Sequence, residues 1–147
     1  MAINDLFSKG SGILGNYSEM SDKDLDKNVS AFLMEGEVVE RGFKLVRDML
    51  IFTDKRILLF DKQGVTGAKT RVVSINYGSI VEVSVETAGA GFDDSEINLT
   101  YMKSAYLKTR DPIYETKTFE FPKKFDVASL YVFLEEIAHE NYLRLNS

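Results

Sequence analysis

Three groups of residues in this chain have types that could do chemistry. The first is His139, the one histidine among 147 residues. An imidazole titrates near neutrality and can serve as base, acid or metal ligand. It does so only with an orienting group and a nucleophile or metal in reach. Around His139 the sequence places Glu135, Glu136, Glu140 and Tyr142 and no such partners, so it reads as a surface histidine. The second group is Glu86, Asp93, Asp94 and Glu96, set around the glycine-rich loop 88–94. Calcium needs several hard oxygens at regular spacing, and the EF-hand pattern is absent. Gly89 and Gly91 are not followed by a helix and so form no nucleotide cradle. These acids read as solvated, and no metal, cofactor or enzymatic activity is expected. The third group is cationic: Lys44, Arg47, Lys55 and Arg56. A phosphate clamp wants converging cations, and these four are the candidate ligand-binding residues for a lipid headgroup or phosphopeptide. Against that, Asp48 stands beside Arg47, which can pair with Asp48 or Asp54, and Arg56 can simply lie on a strand edge.

The chain-wide balance narrows the partners. A net charge of −5 gives no support to nucleic-acid binding and argues against attraction to an anionic membrane. The absence of cysteine removes disulfides and thiol chemistry and agrees with a cytoplasmic setting. The first twenty residues lack the basic start and apolar run of a signal peptide, and no stretch approaches the length of a membrane span.

The elements that must position these residues follow from patterning. Residues 1–35 read as a helical extension packed on the domain, with a short turn at Ile3–Phe7, a loop through Ile13 and Leu14, and a helix capped by Ser21. Leu25, Val29, Phe32 and Leu33 recur at helical spacing. Seven acids between positions 19 and 40 read as capping or solvated groups, Glu37 among them. Residues 36–147 read as a barrel. Its centre is 43–67, where Leu50–Phe52 and Ile57–Phe60 are too short and apolar for anything but buried strands. A first strand holds Val39, Phe43 and Leu45, with Arg41 spoiling its alternation. Asp54 is expected to close the turn after Thr53 by a local hydrogen bond. Period-two alternation then marks four more strands, through Val73 and Ile75, Val81–Val85, Ile97–Tyr101, and Phe119 and Phe121. Residues 103–115 read as a long polar connection. Asp126 caps a last helix, Val127 to about Leu145, with an apolar stripe of Val127, Leu130, Tyr131, Leu134, Ile137 and Ala138. Seven antiparallel strands and a C-terminal helix make a mainly β, pleckstrin-homology-like barrel.

Several linked stretches add a family resemblance: Gly15-Asn16, Gly36-Glu37, FK-LVRD at 43–48, IFTDKR at 51–56, DKQGVTGAK at 61–69, YGSI at 77–80, and VETAG-GFD-SEI across 85–97. In order and spacing the chain resembles the bacterial pleckstrin-homology domain family, formerly a domain of unknown function. Asn76 replaces a proline usual in that family, and Gly89 and Gly91 stand where one glycine is usual. The resemblance implies a pleckstrin-homology fold, no established enzymatic activity, and a tendency to form closed homo-oligomeric rings.

The residues themselves carry a related expectation. Leu50, Phe52, Ile57 and Leu59 share one parity, and Met49, Ile51, Leu58 and Phe60 the other. One small barrel has one dry interior, so the second set needs cover from the N-terminal extension or from another subunit. Leaving such side chains wet forgoes about 1.5–3 kcal/mol each. Met49, Ile51, Leu58 and Phe60 are therefore the candidate oligomer interface. The leading expectation is a non-catalytic module that self-assembles and presents a surface to a protein partner.

Overall fold

The structure, a computed structural model, describes residues 29–45, 48–63, 69–89 and 94–147. The expected turn at Ile3–Phe7, the loop at Ile13 and Leu14 and the body of the Ser21-capped helix lie outside the described residues. So do Arg47, Asp93 and the glycines of 64–67.

Seven strands form two antiparallel sheets. The first holds β1 (Val39–Lys44), β2 (Met49–Thr53), β3 (Arg56–Gln63) and β4 (Lys69–Asn76) in that spatial order. The second holds β5 (Ile80–Glu86), β6 (Ser95–Met102) and β7 (Tyr114–Phe121). A single helix, α1 (Val127–Leu145), follows. The spoiled alternation around Arg41 has a cause: the β1–β2 register shifts between Val39 and Arg41, a bulge that moves the following side chains onto the other face. β7 starts at Tyr114, earlier than the polar reading of 103–115 allowed. Residues 114–118, YETKT, carry few apolar groups because only Phe119 and Phe121 of this strand are buried.

The main core lies between the sheets and under α1. Phe43, Leu50, Phe52, Ile57 and Leu59 come from the first sheet, and Ile97, Leu99, Phe119 and Phe121 from the second. The helix closes it with Leu130, Phe133 and Leu134. Phe125, just before the helix, stacks on Phe121 with ring centres 4.7 Å apart and meets Phe43 edge-on at 5.7 Å.

Both ends of α1 are fixed by polar groups. Asp126 caps the start, its Oδ1 accepting from the Ser129 backbone N–H at 3.3 Å. Near the far end, buried Asn141 donates through Nδ2 to the carbonyls of Tyr77 (2.8 Å) and Ile80 (2.9 Å). Arg144 donates to the Gly78 carbonyl at 2.8 Å. The helix is thus pinned to the corner between β4 and β5. Phe133 and Asn141 join the buried face alongside the expected stripe, whereas Tyr131 and Ile137 sit at its margin, half-buried.

A smaller apolar cluster occupies the outer face of the first sheet, where Val29 meets Ile51, Leu58 and Phe60, with Leu33, Val39, Met49 and Val72 packed around it.

Candidate functional site

The second cluster settles which way the surplus apolar parity of β2 and β3 turns. Ile51, Leu58 and Phe60 have 0%, 0% and 2% of their surface exposed within one chain, and Met49 is half-buried beside them. Cover comes from the chain itself, through Val29, Leu33 and Phe32, whose ring meets Phe60 edge-on at 5.5 Å. Of the four candidate interface residues, Ile51, Leu58 and Phe60 are therefore buried within one chain, and Met49 stays half-buried at the edge of their cluster.

A polar clamp fastens that cover. The Arg56 guanidinium donates to both Glu37 carboxylate oxygens, from Nε to Oε2 at 2.9 Å and from Nη2 to Oε1 at 2.8 Å. Nη2 also reaches the Phe32 carbonyl at 2.8 Å, and Nη1 reaches Ser74 Oγ on β4 at 2.6 Å. Glu37 further accepts from the Met34 backbone N–H at 2.9 Å and from the Thr53 hydroxyl at 2.7 Å. The side chain of Glu37 is fully enclosed. Hydrogen bonding to Arg56 holds its carboxyl at about 2, overcoming the opposite push of burial. The same pairing raises Arg56 above its ordinary value. A bidentate, desolvated pair of this kind is stable while both partners remain. Glu37 is thus no solvated acid, and Arg56 is no idle strand-edge cation.

That geometry bears on the four candidate cations. Arg56 spends its donors on Glu37, Phe32 and Ser74. Lys44 pairs with Met49 at one end of β2, while Lys55 follows Thr53 at the other end. Four residue steps separate those ends by roughly 13 Å. Lys44, Lys55 and Arg56 are therefore not brought together, and Arg47 lies outside the described residues. The turn between β2 and β3 also differs from expectation. Thr53 closes it, its Oγ accepting from the N–H groups of Lys55 (3.1 Å) and Arg56 (3.0 Å). Asp54 instead reaches across to the Val38 N–H at 2.8 Å.

His139 is exposed on the outer face of α1, beside an open depression of about 580 Å³ that it shares with Glu135, Glu136 and Glu140. Glu86 and Glu96 are direct cross-strand partners, and Glu96 also faces Glu120. Asp94 is exposed. Among the described residues no group of three or more His, Asp or Glu is placed to hold a metal ion.

One polar cleft escaped the sequence reading. It is about 400 Å³ and opens between β4, the end of β6 and the connection after it. Glu115 sits in its wall, accepting from Lys117 at 3.1 Å, Lys103 at 3.3 Å and the Tyr101 hydroxyl at 3.0 Å. Lys117 first, then Tyr101, holds Glu115 at about 2. Burial and that same bond push Tyr101 up to about 12. Arg71 completes the lining from β4. Its only sequence signal was the run of cations across 103–117, which reads as an ordinary solvated loop.

A two-sheet barrel closed by a C-terminal helix defines a pleckstrin-homology-like module. The sequence pattern of the Bacterial PH domain matches residues 8–138, and the chain belongs to that family. It is similar to the crystal structure of a pleckstrin homology domain from Shewanella amazonensis SB2B, at 34% identity and a TM-score of 0.61, covering 87% of this chain and 96% of that one. A DUF1696 family protein with a pleckstrin-homology domain from Shewanella loihica PV-4 is similar at 31% identity and a TM-score of 0.58, with 84% and 98% covered. An uncharacterized protein of Bacillus subtilis (strain 168), YjqA, is 52% identical over 88 residues, which is 60% of this chain and 70% of that protein. Among the described residues no helix is long and apolar enough to cross a membrane.

Proposed function

We propose that the chain is a non-catalytic interaction module that assembles with copies of itself and presents the assembled surface to a protein partner. One observation supports this most. Met34 and Val38 are 49% and 59% exposed where the chain approaches β1, the outer strand of its sheet, and Phe32, lying against Phe60 of β3, is 50% exposed. Large apolar side chains grouped beside an outer strand mark a contact that a monomer would otherwise blunt. A neighbour's strand laid along β1 covers them and pairs its own backbone at once. If the two surfaces differ, the contact is head-to-tail and closes into a ring when the rotation allows. The chain's N-terminal cover stays in place under this arrangement, so the joint runs along the rim of the covered face rather than over Ile51 and Leu58.

The alternative, a phosphate or lipid-headgroup site on Lys44, Arg47, Lys55 and Arg56, has weaker support. Arg56 commits four of its five N–H donors within the chain, and Lys44 and Lys55 stand at opposite ends of β2.

Sedimentation velocity tests the proposal with Met34→Glu and Val38→Glu combined. Both side chains are exposed, so the variant is expected to fold and to sediment as a smaller species than the parent. Equal sedimentation of parent and folded variant would overturn the placement.

A further inference from the structure

The polar cleft has an apolar neighbour that shares part of its wall. A second depression of about 220 Å³ lies between the connection after β6 and the end of α1, walled by Val81, Pro112, Tyr114, Tyr142 and Leu145. Met102 and Leu107 belong to both cavities. We treat the two adjoining depressions as one groove, cationic and hydroxyl-rich at one end and apolar at the other.

The wall is built rather than loose. Across the base of the connection, the Lys103 N–H donates to the Ile113 carbonyl at 2.7 Å, and the Ile113 N–H donates to Ser104 Oγ at 2.8 Å. Arg144 and Asn141 fix the helix end opposite. Two of the large apolar side chains exposed among the described residues, Tyr114 and Tyr142, line the apolar depression.

Charge supplies the second argument. The polar cleft is lined by Arg71 and Lys103 against the single acid Glu115, in a chain whose net charge is −5. Glu115 is already neutralised by Lys103 and Lys117 together, and Arg71 makes no ion pair among the described residues. The lining thus carries a small positive excess on a negative molecule. Its complement is an acidic group, since opposite potentials both attract the partner and fix its register.

The size of the apolar end decides between a peptide and a lipid. A cavity of about 150 Å³ takes a benzene ring, so this depression accepts one aromatic or branched aliphatic side chain and is too short for a membrane acyl chain. The chain's overall negative charge also opposes an anionic bilayer.

We propose that this groove is a docking site for an acidic peptide segment of a partner protein, with a large apolar side chain seated against Tyr114 and Tyr142 and a carboxylate received by Arg71 and Lys103. The proposal does not require assembly, because every wall of the groove comes from one chain.

Fluorescence anisotropy tests it with labelled short peptides carrying one Phe and two Glu at varied spacing. Matched sets replace Glu by Gln, or Phe by Gly. Peptides of the acidic, Phe-bearing set bind, each matched replacement weakens them, and added salt weakens them further. Arg71→Ala with Lys103→Ala lowers affinity by about tenfold, and Tyr142→Asp lowers it separately. These side chains are at the surface, and thermal melts of the variants confirm that they fold. Several outcomes would overturn the proposal: no binding by the acidic set, equal binding by the Gln set, or affinity unchanged in the variants. Binding of the protein to phosphatidylserine vesicles that the same substitutions abolish would overturn it in favour of a membrane.

Discussion

Glu37 and Arg56 tie several parts of the first sheet and its cover together. Together they reach the Phe32 carbonyl, the Met34 N–H, Thr53 on β2 and Ser74 on β4. Removing one partner strands the other charge in a desolvated place, so Arg56→Met is expected to cost about 3–5 kcal/mol in urea unfolding. Glu37→Met/Arg56→Met together should cost less than Arg56→Met alone. The pH dependence has a definite sign. Glu37 ionises at about 2 in the fold against an ordinary 4.5, so the unfolded chain takes up its proton first as pH falls. The stability it contributes is whole above about pH 4.5 and is lost progressively toward about pH 2. Glu37→Gln should flatten that acid slope in part, with Glu115, also held at about 2, supplying the remainder. An unchanged slope would remove the clamp from the account. Gly36 belongs to the same corner. Its φ of 77° and the bond from the Glu37 N–H to the Met34 carbonyl at 3.0 Å make a turn that favours glycine at this place. Gly36→Ala should therefore lower stability by about 1 kcal/mol, read from the same unfolding curves.

At the scale of elements, the helix and the second sheet depend on one another through Asn141. Its amide satisfies two carbonyls at the β4–β5 corner, one of them buried. Asn141→Ala leaves both without that donor and should destabilise by about 1–3 kcal/mol, whereas Leu143→Ala, at an exposed position, should change little. The contrast between Asn141 and Leu143 shows what patterning can and cannot see. The alternation of Val83 and Val85, or Ile97 and Leu99, reports burial directly, because each strand turns one face to the core. Asp126 likewise announces the helix start. An asparagine among apolar residues announces nothing, since its role comes from a corner sixty residues earlier in the chain. The same limit hid the clamp: Glu37 stands in an acid-rich stretch, and only the approach of Arg56 from β3 distinguishes it. Residues 49–60 were legible as two-sided, but which body covers the second side is a tertiary fact. The chain's own Val29 and Leu33 provide that cover. The cleft around Glu115 was not legible for a related reason, since Arg71 and Lys103 are brought near each other by the packing of two sheets.

The whole molecule presents three faces. One is the covered outer face of the first sheet, sealed by the Val29–Leu33 segment and the Glu37–Arg56 clamp. The second is the acidic outer face of α1, with Glu135, Glu136 and Glu140. The third is the groove between the connection after β6 and the end of α1, cationic and apolar by turns. Fold and family agree on a bacterial pleckstrin-homology domain. The central proposal is that copies of this chain join along the rim marked by Phe32, Met34 and Val38. Light scattering coupled to size exclusion measures the molar mass in solution without a variant or a ligand. The account predicts a mass of two or more times the 16.6 kDa chain at low micromolar concentration. A single species at the mass of one chain across the accessible concentrations would contradict it.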